Sequence, residues 1–252
     1  MDINIKGDII EDDYQWLYDW IGWSYTSAKN VTNDLKKANG EPVNIKINSP
    51  GGSVFAASEI YTELKNYKGD VNIQIIGLAA SAASVIAMAG KSSMSPTAQI
   101  MVHNVSTGAS GDYRVMEHTA EVLKNANDTI ANAYISKSGM SREQALELMN
   151  NETYLSAQKA KELGLIDEIM FEEGTTSNLK GLTNSITGIY NTYTSIPKEL
   201  LEKFNQSNFN QPIKNENDMV DFFMQQNIEN KKLKVFENTI NQKLNEILGG
   251  NY

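Results

Sequence analysis

The chain contains no cysteine and only two histidines among its 252 residues. Without cysteine it can form neither disulfide bonds nor thiolate metal sites. The two histidines, His103 and His118, lie in separate segments, so no metal cluster is indicated and we expect neither a metal nor another cofactor. The formal net charge of −9 argues against general binding to nucleic acids.

Signals for export or membrane insertion are also missing. The start of the sequence lacks the charged and apolar regions of a secretory signal, which predicts a cytoplasmic protein. Residues 71–90 carry no charge, but they are short for a membrane helix and include Asn72 and Gln74 among many alanines, serines and glycines. A buried strand followed by a helix fits this segment better, so we expect no membrane contact.

The most informative segment is residues 77–84, Gly-Leu-Ala-Ala-Ser-Ala-Ala-Ser, which follows the apolar run 71–76. This order predicts a strand, a tight turn and a helix. Such a turn raises the hydroxyl of Ser81 at a strand end, above the unpaired N–H groups of a helix N-terminus. The serine could attack a carbonyl while an N–H holds the oxyanion. Alternatively, the small residues only allow close packing, and Ser84 is a rival nucleophile.

A second strand–turn–helix unit precedes it. Residues 43–48 alternate like a strand, residues 49–52 (Ser-Pro-Gly-Gly) break it, and residues 53–65 have the apolar spacing of a helix. The adjacent glycines let the backbone approach a ligand and direct N–H groups at it, although an ordinary Pro-Gly turn would have the same sequence. Two such units in succession predict glycine-rich loops that meet at one edge.

A nucleophilic serine needs a base, and the two histidines are the candidates. His103 follows a strand-like run, residues 99–102, and precedes a polar loop, a position that suits a general base. His118 lies in a long helical stretch, residues 113–135, and is expected on a solvated helix face. A lone histidine is more often structural than catalytic, but the exposed serine turn favours His103 as its partner.

Four motifs occur in order along the chain, at residues 47–52, 77–81, 101–103, and 154–157 with 164–167. Together they resemble the proteolytic subunit of the Clp protease, over about residues 1–172. The resemblance implies an α/β fold of the crotonase-like, β-α superhelical type. It also implies a serine peptidase that assembles into stacked homo-oligomeric rings. In such rings residues 113–138 would be the helix by which two rings pack; the plain alternative is a helix docked on its own domain.

The family's functional residues can be placed on this sequence one by one. The resemblance implies that Ser81 is the nucleophile and His103 the base, while Gly52 and Ala82 supply the N–H groups of the oxyanion hole. The third member of the triad falls on Glu152, where the family has aspartate. Glutamate can orient an imidazole and stabilise its cation, but its extra methylene moves the carboxylate.

The resemblance extends to the prophage-encoded branch of the family, which acts in capsid maturation. It implies an ATP-independent or partner-dependent serine endopeptidase that cleaves a peptide or protein substrate, with a capsid protein or an unfoldase as partner. The alternative is a crotonase-like assembly or scaffold protein whose peptidase site is weak or silent. An acyl-CoA enzyme of the same fold is a third candidate, but it has no need of a serine–histidine pair.

Composition divides the chain into three parts. Residues 1–173 are the expected peptidase domain, and residues 174–217 form a linker or a loosely docked segment, rich in polar residues and glycine. Residues 218–252 are predicted to be a C-terminal helical extension with an apolar stripe. The stripe comprises Leu233, Phe236, Ile240, Leu244 and Ile247. It could dock on the peptidase domain, form a coiled coil or bind a partner helix.

Overall fold

The computed structural model describes residues 1–172 of the chain. Residues 1–15 and 24–172 form one compact unit, and residues 16–23 belong to a second. Strands and helices alternate along the described chain, which confirms the predicted α/β class. Within this described part, no helix is long and apolar enough to cross a membrane.

The described residues contain eight strands, seven α-helices and one short 3₁₀-helix. The strands are β1 (Asp2–Ile10), β2 (Tyr25–Ser27), β3 (Val43–Gly52), β4 (Val71–Ala80), β5 (Lys91–Met94), β6 (Gln99–Val102), β7 (Thr153–Ser156) and β8 (Glu168–Ile169). The helices are α1 (Gln15–Ile21), α2 (Ala28–Ala38), α3 (Val54–Asn66), α4 (Ala82–Ala87), α5 (Tyr113–Ser138), α6 (Arg142–Asn150) and α7 (Ala157–Glu162), and the 3₁₀-helix spans Asp12–Tyr14.

All eight strands form one sheet, in which β2, β1, β3, β4, β5 and β8 are neighbours in that order. These pairs are parallel, while β6 pairs in parallel with β4 and antiparallel with β7. Parallel neighbours require crossover connections, which here contain helices. The carboxyl ends of parallel strands lie at one edge of a sheet, so the segments that follow β3, β4 and β6 meet there.

The core lies between this sheet and its helices. Along β3, Val43, Ile45 and Ile47 are fully buried and alternate with more exposed residues, which confirms the period-two prediction for this strand. On α2, Val31 and Leu35 are buried one helical turn apart. Each such side chain contributes about 1.5–3 kcal/mol on full burial.

The helix ends follow local sequence signals. A capping box opens α6, where the side chains of Ser141 and Gln144 each accept a hydrogen bond from the other's backbone N–H. Helix α5 spans the predicted residues and ends at Gly139, which has the left-handed conformation typical of that position. Its buried residues lie within 130–134, whereas the preceding part of the helix is largely exposed. Its role as a ring contact stays a prediction.

The prediction that residues 49–52 break the strand is wrong. Strand β3 continues through them to Gly52, and the register with β1 shifts before Asp8, after which Asp8 and Ile9 pair with Gly51 and Gly52. The φ angles of 101° at Gly51 and 145° at Gly52 allow the chain to bend there without leaving the sheet.

Gly77 likewise lies inside β4 and not in a turn. The side chain of Asn48, from β3, explains the glycine: a β-carbon on Gly77 would lie 2.5 Å from Asn48 Oδ1. The same oxygen accepts the N–H of Leu78 at 3.1 Å. The strand therefore extends beyond the predicted apolar run, and the turn follows at Ser81.

The short segment of the second unit contains most of α1. Its internal packing includes an edge-to-face contact between the rings of Tyr18 and Trp23, with centroids 6.5 Å apart. The predicted linker (174–217) and helical extension (218–252) lie outside the described residues.

Candidate active site

Ser81 occupies the turn between β4 and α4, which confirms the predicted strand, turn and helix. Its backbone has φ 52° and ψ −124°, a conformation that residues other than glycine rarely adopt. Such a conformation costs on the order of 1–3 kcal/mol and persists only where the surroundings hold it. The sharp turn places the hydroxyl at the end of the sheet, beside the start of the following helix.

Backbone hydrogen bonds hold this turn on both sides of Ser81. Its N–H donates to the carbonyl oxygen of Met101 at 2.9 Å, which ties the turn to β6. Its own carbonyl oxygen accepts the N–H of Ser84 at 3.0 Å and the Ser84 hydroxyl at 2.6 Å. The strained conformation is therefore fixed by two different elements of the fold.

His103 follows β6 directly and reaches the serine. Its Nε2 lies 2.7 Å from Oγ of Ser81, a distance at which a proton can pass between them. Burial lowers the pKa of the His103 imidazole below its usual value, and the charge of Glu152 opposes this only in part. The ring is therefore largely neutral at pH 7, as a general base must be.

Glu152 lies between α6 and β7, with a left-handed φ of 45°. Its Oε1 accepts a hydrogen bond from the hydroxyl of Tyr154 at 3.1 Å. Within residues 1–172 the structure records no hydrogen bond between Glu152 and His103, so the carboxylate acts on the ring through its charge. The structure thus brings Ser81 and His103 into contact and places Glu152 within electrostatic range.

The two glycines that end β3 lie beside the serine turn. A β-carbon on Gly51 would lie 2.7 Å from the β-carbon of Ser81 and 2.9 Å from the backbone nitrogen of Ala82. The N–H of Gly51 donates to the hydroxyl of Ser49, which leaves Gly52 as the candidate oxyanion donor in this pair. Ala82 opens α4, where the first N–H groups have no partner within the helix.

The two rival candidates lie elsewhere. Ser84 is completely buried, and its hydroxyl bonds the carbonyl of Ser81 and the hydroxyl of Tyr134, so it is not available to a substrate. His118 lies on the exposed part of α5, as the sequence predicts. These placements favour Ser81 and His103 over both alternatives.

Some residues of the site were not identified from the sequence. Asn104 Nδ2 donates to Asn150 Oδ1 at 2.9 Å, which connects the loop after His103 to the end of α6, close to Glu152. The other amide atom of Asn104, Oδ1, is buried and has no hydrogen-bond partner in the described part of the chain. No spacing pattern indicates this pair, because the two asparagines are 46 positions apart.

Among residues 1–172, no three His, Cys, Asp or Glu side chains are grouped so that they could hold a metal ion. The groups that the candidate site offers are a serine hydroxyl, an imidazole, a carboxylate and backbone N–H groups.

Sequence comparison relates the chain to known proteins. The Clp protease family matches residues 25–173. The ATP-dependent Clp protease proteolytic subunit of Bacteroides fragilis is 34% identical over 137 residues, which cover 53% of this chain and 66% of that protein. The corresponding subunit 1 of Chlamydia abortus is 34% identical over 140 residues, 52% of this chain and 71% of that protein. That of Chlamydia muridarum is 35% identical over 140 residues, with the same coverage.

The chain thus spans roughly two thirds of the length of these relatives. The family match, over residues 25–173, contains both Ser81 and His103. The resemblance noted from the four sequence motifs is confirmed at the level of the family, and with it the fold. The chain belongs to the Clp protease family.

Proposed function

We propose that the chain is a serine endopeptidase of the Clp proteolytic-subunit type, which hydrolyses peptide bonds in a peptide or protein substrate. The observation that carries this proposal is the 2.7 Å contact between Nε2 of His103 and Oγ of the strained Ser81. A serine held in this conformation and bonded to a largely neutral imidazole is an activated nucleophile.

The proposed reaction has two halves. His103 takes the proton of Ser81 as Oγ attacks the scissile carbonyl carbon. The resulting oxyanion accepts hydrogen bonds from the N–H groups of Gly52 and Ala82. The imidazolium then protonates the leaving amine as the C–N bond breaks, which leaves an ester on Ser81. Water, deprotonated by the same imidazole, hydrolyses this ester and restores the serine.

Glu152 is proposed to stabilise the imidazolium through its charge. The support is electrostatic, because the Glu152 carboxylate raises the pKa of His103 against the larger effect of burial. Its hydrogen bond from Tyr154 limits where the carboxylate can lie. That Glu152 takes the role of the family's aspartate stays a prediction.

A fluorophosphonate probe tests the proposal directly, since it reacts only with an activated serine. We expect the wild-type chain to be labelled and mass spectrometry to place the adduct on Ser81. Ser81→Ala should lose labelling and reduce turnover by about 10⁴-fold. Ser95→Ala, which removes a partly exposed serine from the loop after β5, should change neither. An adduct on Ser84, or labelling that survives in Ser81→Ala, would show the assignment to be wrong.

The alternative of a silent assembly or scaffold protein is not favoured. Its site would have no reason to keep a serine in a strained conformation and within 2.7 Å of an imidazole. The labelling experiment also decides between the two functions, because a silent site would leave the wild-type chain unlabelled.

We further propose that the active form is a homo-oligomeric ring. The support is the exposed part of α5, on which Tyr113, Met116 and Val122 leave 71%, 43% and 53% of their surfaces accessible. Mass photometry of the full chain should show a large oligomer. Met116→Glu together with Val122→Glu should reduce its size, while the exposed substitution Glu121→Gln on the same helix should not.

The role in capsid maturation, with a capsid protein or an unfoldase as partner, is also a proposal. It rests on the resemblance to the prophage-encoded branch. Co-expression with a candidate capsid protein should give a cleaved product that Ser81→Ala fails to produce. Cleavage of the folded capsid protein by the purified chain without ATP would separate an ATP-independent peptidase from one whose activity requires an unfoldase.

A further inference from the structure

A chain of two buried hydroxyl groups leads from α5 to the serine turn. The hydroxyl of Ser84 lies 2.6 Å from the carbonyl oxygen of Ser81 and 2.7 Å from the hydroxyl of Tyr134. Ser84 is fully buried and Tyr134 is 3% exposed. Water therefore has little access to either hydroxyl, and each depends on these bonds.

The direction of the two hydrogen bonds is fixed by the chemistry of the three groups. A carbonyl oxygen can only accept, and a serine hydroxyl has one hydrogen to donate. Ser84 must therefore donate to Ser81 and accept from Tyr134. Burial raises the pKa of Tyr134 to about 12, so its hydroxyl keeps its proton and remains a donor at neutral pH.

The carbonyl that receives this bond belongs to a peptide unit that the reaction needs. The C=O of Ser81 and the N–H of Ala82 are parts of one planar, trans peptide group, so they point in opposite directions. Rotation of this plane would turn the N–H of Ala82 away from the oxyanion. A hydrogen bond that holds the oxygen therefore also aims the N–H.

We propose that Tyr134 and Ser84 are positioning residues that fix the peptide plane between Ser81 and Ala82 and so aim the Ala82 N–H at the oxyanion. The proposal rests on the serine-peptidase function proposed above. Neither residue touches the substrate; Tyr134 acts through Ser84, and Ser84 acts through the Ser81 carbonyl. The N–H of Ser84 also bonds this carbonyl, so the hydroxyl chain reinforces an existing contact.

A role in positioning predicts a pattern of kinetic effects. Oxyanion donors act in the transition state, so their misalignment lowers kcat and leaves KM unchanged. Tyr134→Phe should lower kcat severalfold, and Ser84→Ala should lower it by about tenfold or more, because small misplacements of reacting groups have large effects on rate. In the double variant kcat should equal that of Ser84→Ala, since Tyr134 has no route to Ser81 without Ser84.

Folding stability provides the readout that separates positioning from simple packing. Ser84→Ala leaves the Tyr134 hydroxyl buried without its partner, so the melting temperature of this variant should fall. Adding Tyr134→Phe removes that hydroxyl and should recover part of the melting temperature while kcat stays low. If the pair were only structural, kcat would recover together with stability.

Two matched controls test the same chemistry elsewhere in the fold. Tyr67→Phe removes a hydroxyl that bonds Glu41 and Gly40, and Ser92→Ala removes a buried hydroxyl that bonds Asp167. Neither residue contacts the serine turn. Both variants should keep the wild-type kcat even where they lower the melting temperature.

The experiment measures kcat and KM on a small ester, the rate of fluorophosphonate labelling and the melting temperature for all variants. A kcat within twofold of wild type in both Tyr134→Phe and Ser84→Ala would overturn the positioning role, as would a kcat that follows the melting temperature across all variants and controls. Tyr134→Phe keeps the aromatic ring in place, so it reports on the hydroxyl even if Ser84→Ala fails to fold. A wild-type chain without labelling would overturn the peptidase function and this proposal with it, whereas normal labelling in every variant would overturn the positioning role alone.

Discussion

The hydroxyl of Tyr154 donates a hydrogen bond to Oε1 of Glu152 over 3.1 Å. In the part of the chain that the structure describes, Glu152 makes no hydrogen bond to His103, and it affects the imidazole by its negative charge. Burial lowers the pKa of His103 and this charge raises it, with burial the larger effect. The carboxylate is thus positioned to favour the imidazolium without contacting the ring.

Glu152→Gln should therefore lower the pKa of His103 further, because it removes a charge that raises it. The serine can be deprotonated only by a neutral imidazole, so the acid limb of the pH–rate profile should move to lower pH. The maximal rate should fall, though less than in His103→Ala, because the carboxylate does not itself take the proton. Labelling rates measured from about pH 5 to pH 8 give the profile.

Glu147→Gln is the matched control for that profile. Glu147 is an exposed glutamate on α6, and its removal changes the net charge by the same amount. It should leave the acid limb where it is in the wild type. A limb that moves to higher pH in Glu152→Gln, or moves equally in both variants, would contradict the electrostatic role of Glu152.

The two histidines allow a clean test of the base. His103→Ala should reduce the labelling rate by about 10⁴-fold, since it removes the group that accepts the serine proton. His118→Ala removes the other imidazole of the chain from an exposed position on α5 and should keep the wild-type rate. Equal losses in the two variants would mean that the 2.7 Å contact of His103 with Ser81 has no catalytic role.

Asp167 is predicted to stabilise the fold in a pH-dependent way. Its Oδ2 accepts hydrogen bonds from Lys137 Nζ at 2.5 Å and from the N–H of Ser92 at 2.6 Å. Burial raises the pKa of Asp167, but Lys137 and Ser92 together outweigh it, so the net pKa is lowered. This stability is present above the unfolded pKa of about 3.9 and is lost as the pH falls through the lower folded value.

Asp167→Asn should accordingly reduce the free energy of unfolding at pH 7 by about 1 kcal/mol, a value reduced for the solvent exposure of the carboxylate. The difference in the free energy of unfolding between Asp167→Asn and the wild type should shrink below about pH 4. There Asp167 takes up a proton first in the unfolded state and then in the folded state. Urea unfolding at several pH values measures it. Glu168→Gln breaks a neighbouring but exposed ion pair with Lys91 and should change the midpoint little. A loss of unfolding free energy in Asp167→Asn that becomes larger as the pH falls would contradict this prediction.

Local patterns were sufficient to locate the two side chains that we propose react. A β-branched run followed by small residues predicted the turn at Ser81, and a strand-like run before a polar loop predicted the strand end at His103. These patterns depend only on neighbours in sequence. That the two side chains meet was inferred from the family resemblance, because single-sequence periodicity carries no information on which strand ends are adjacent.

The residues that support the site could not be found in this way. Tyr134 meets Ser84 across 50 positions of sequence, and neither has a neighbour pattern that indicates the contact. At Gly77 the backbone of β4 lies against the side chain of Asn48 from a different strand, so the sequence suggested a turn where the strand continues. The sequence predicted that the glycine pair allows a ligand to approach the backbone closely. In the structure the group that lies close to Gly51 is the serine turn itself.

Gly51→Ala should therefore impair the serine without removing any reacting group. The added β-carbon would lie 2.7 Å from the β-carbon of Ser81 and 2.7 Å from the carbonyl oxygen of Ala80, at a φ of 101° that alanine rarely adopts. Relief requires the serine turn to move, so the labelling rate should fall by about a hundredfold. Gly108→Ala, whose β-carbon would meet no atom within 4 Å, should react like the wild type. Circular dichroism must show that Gly51→Ala is folded; a folded variant that is labelled at the wild-type rate would mean that the close approach of Gly51 does not position Ser81.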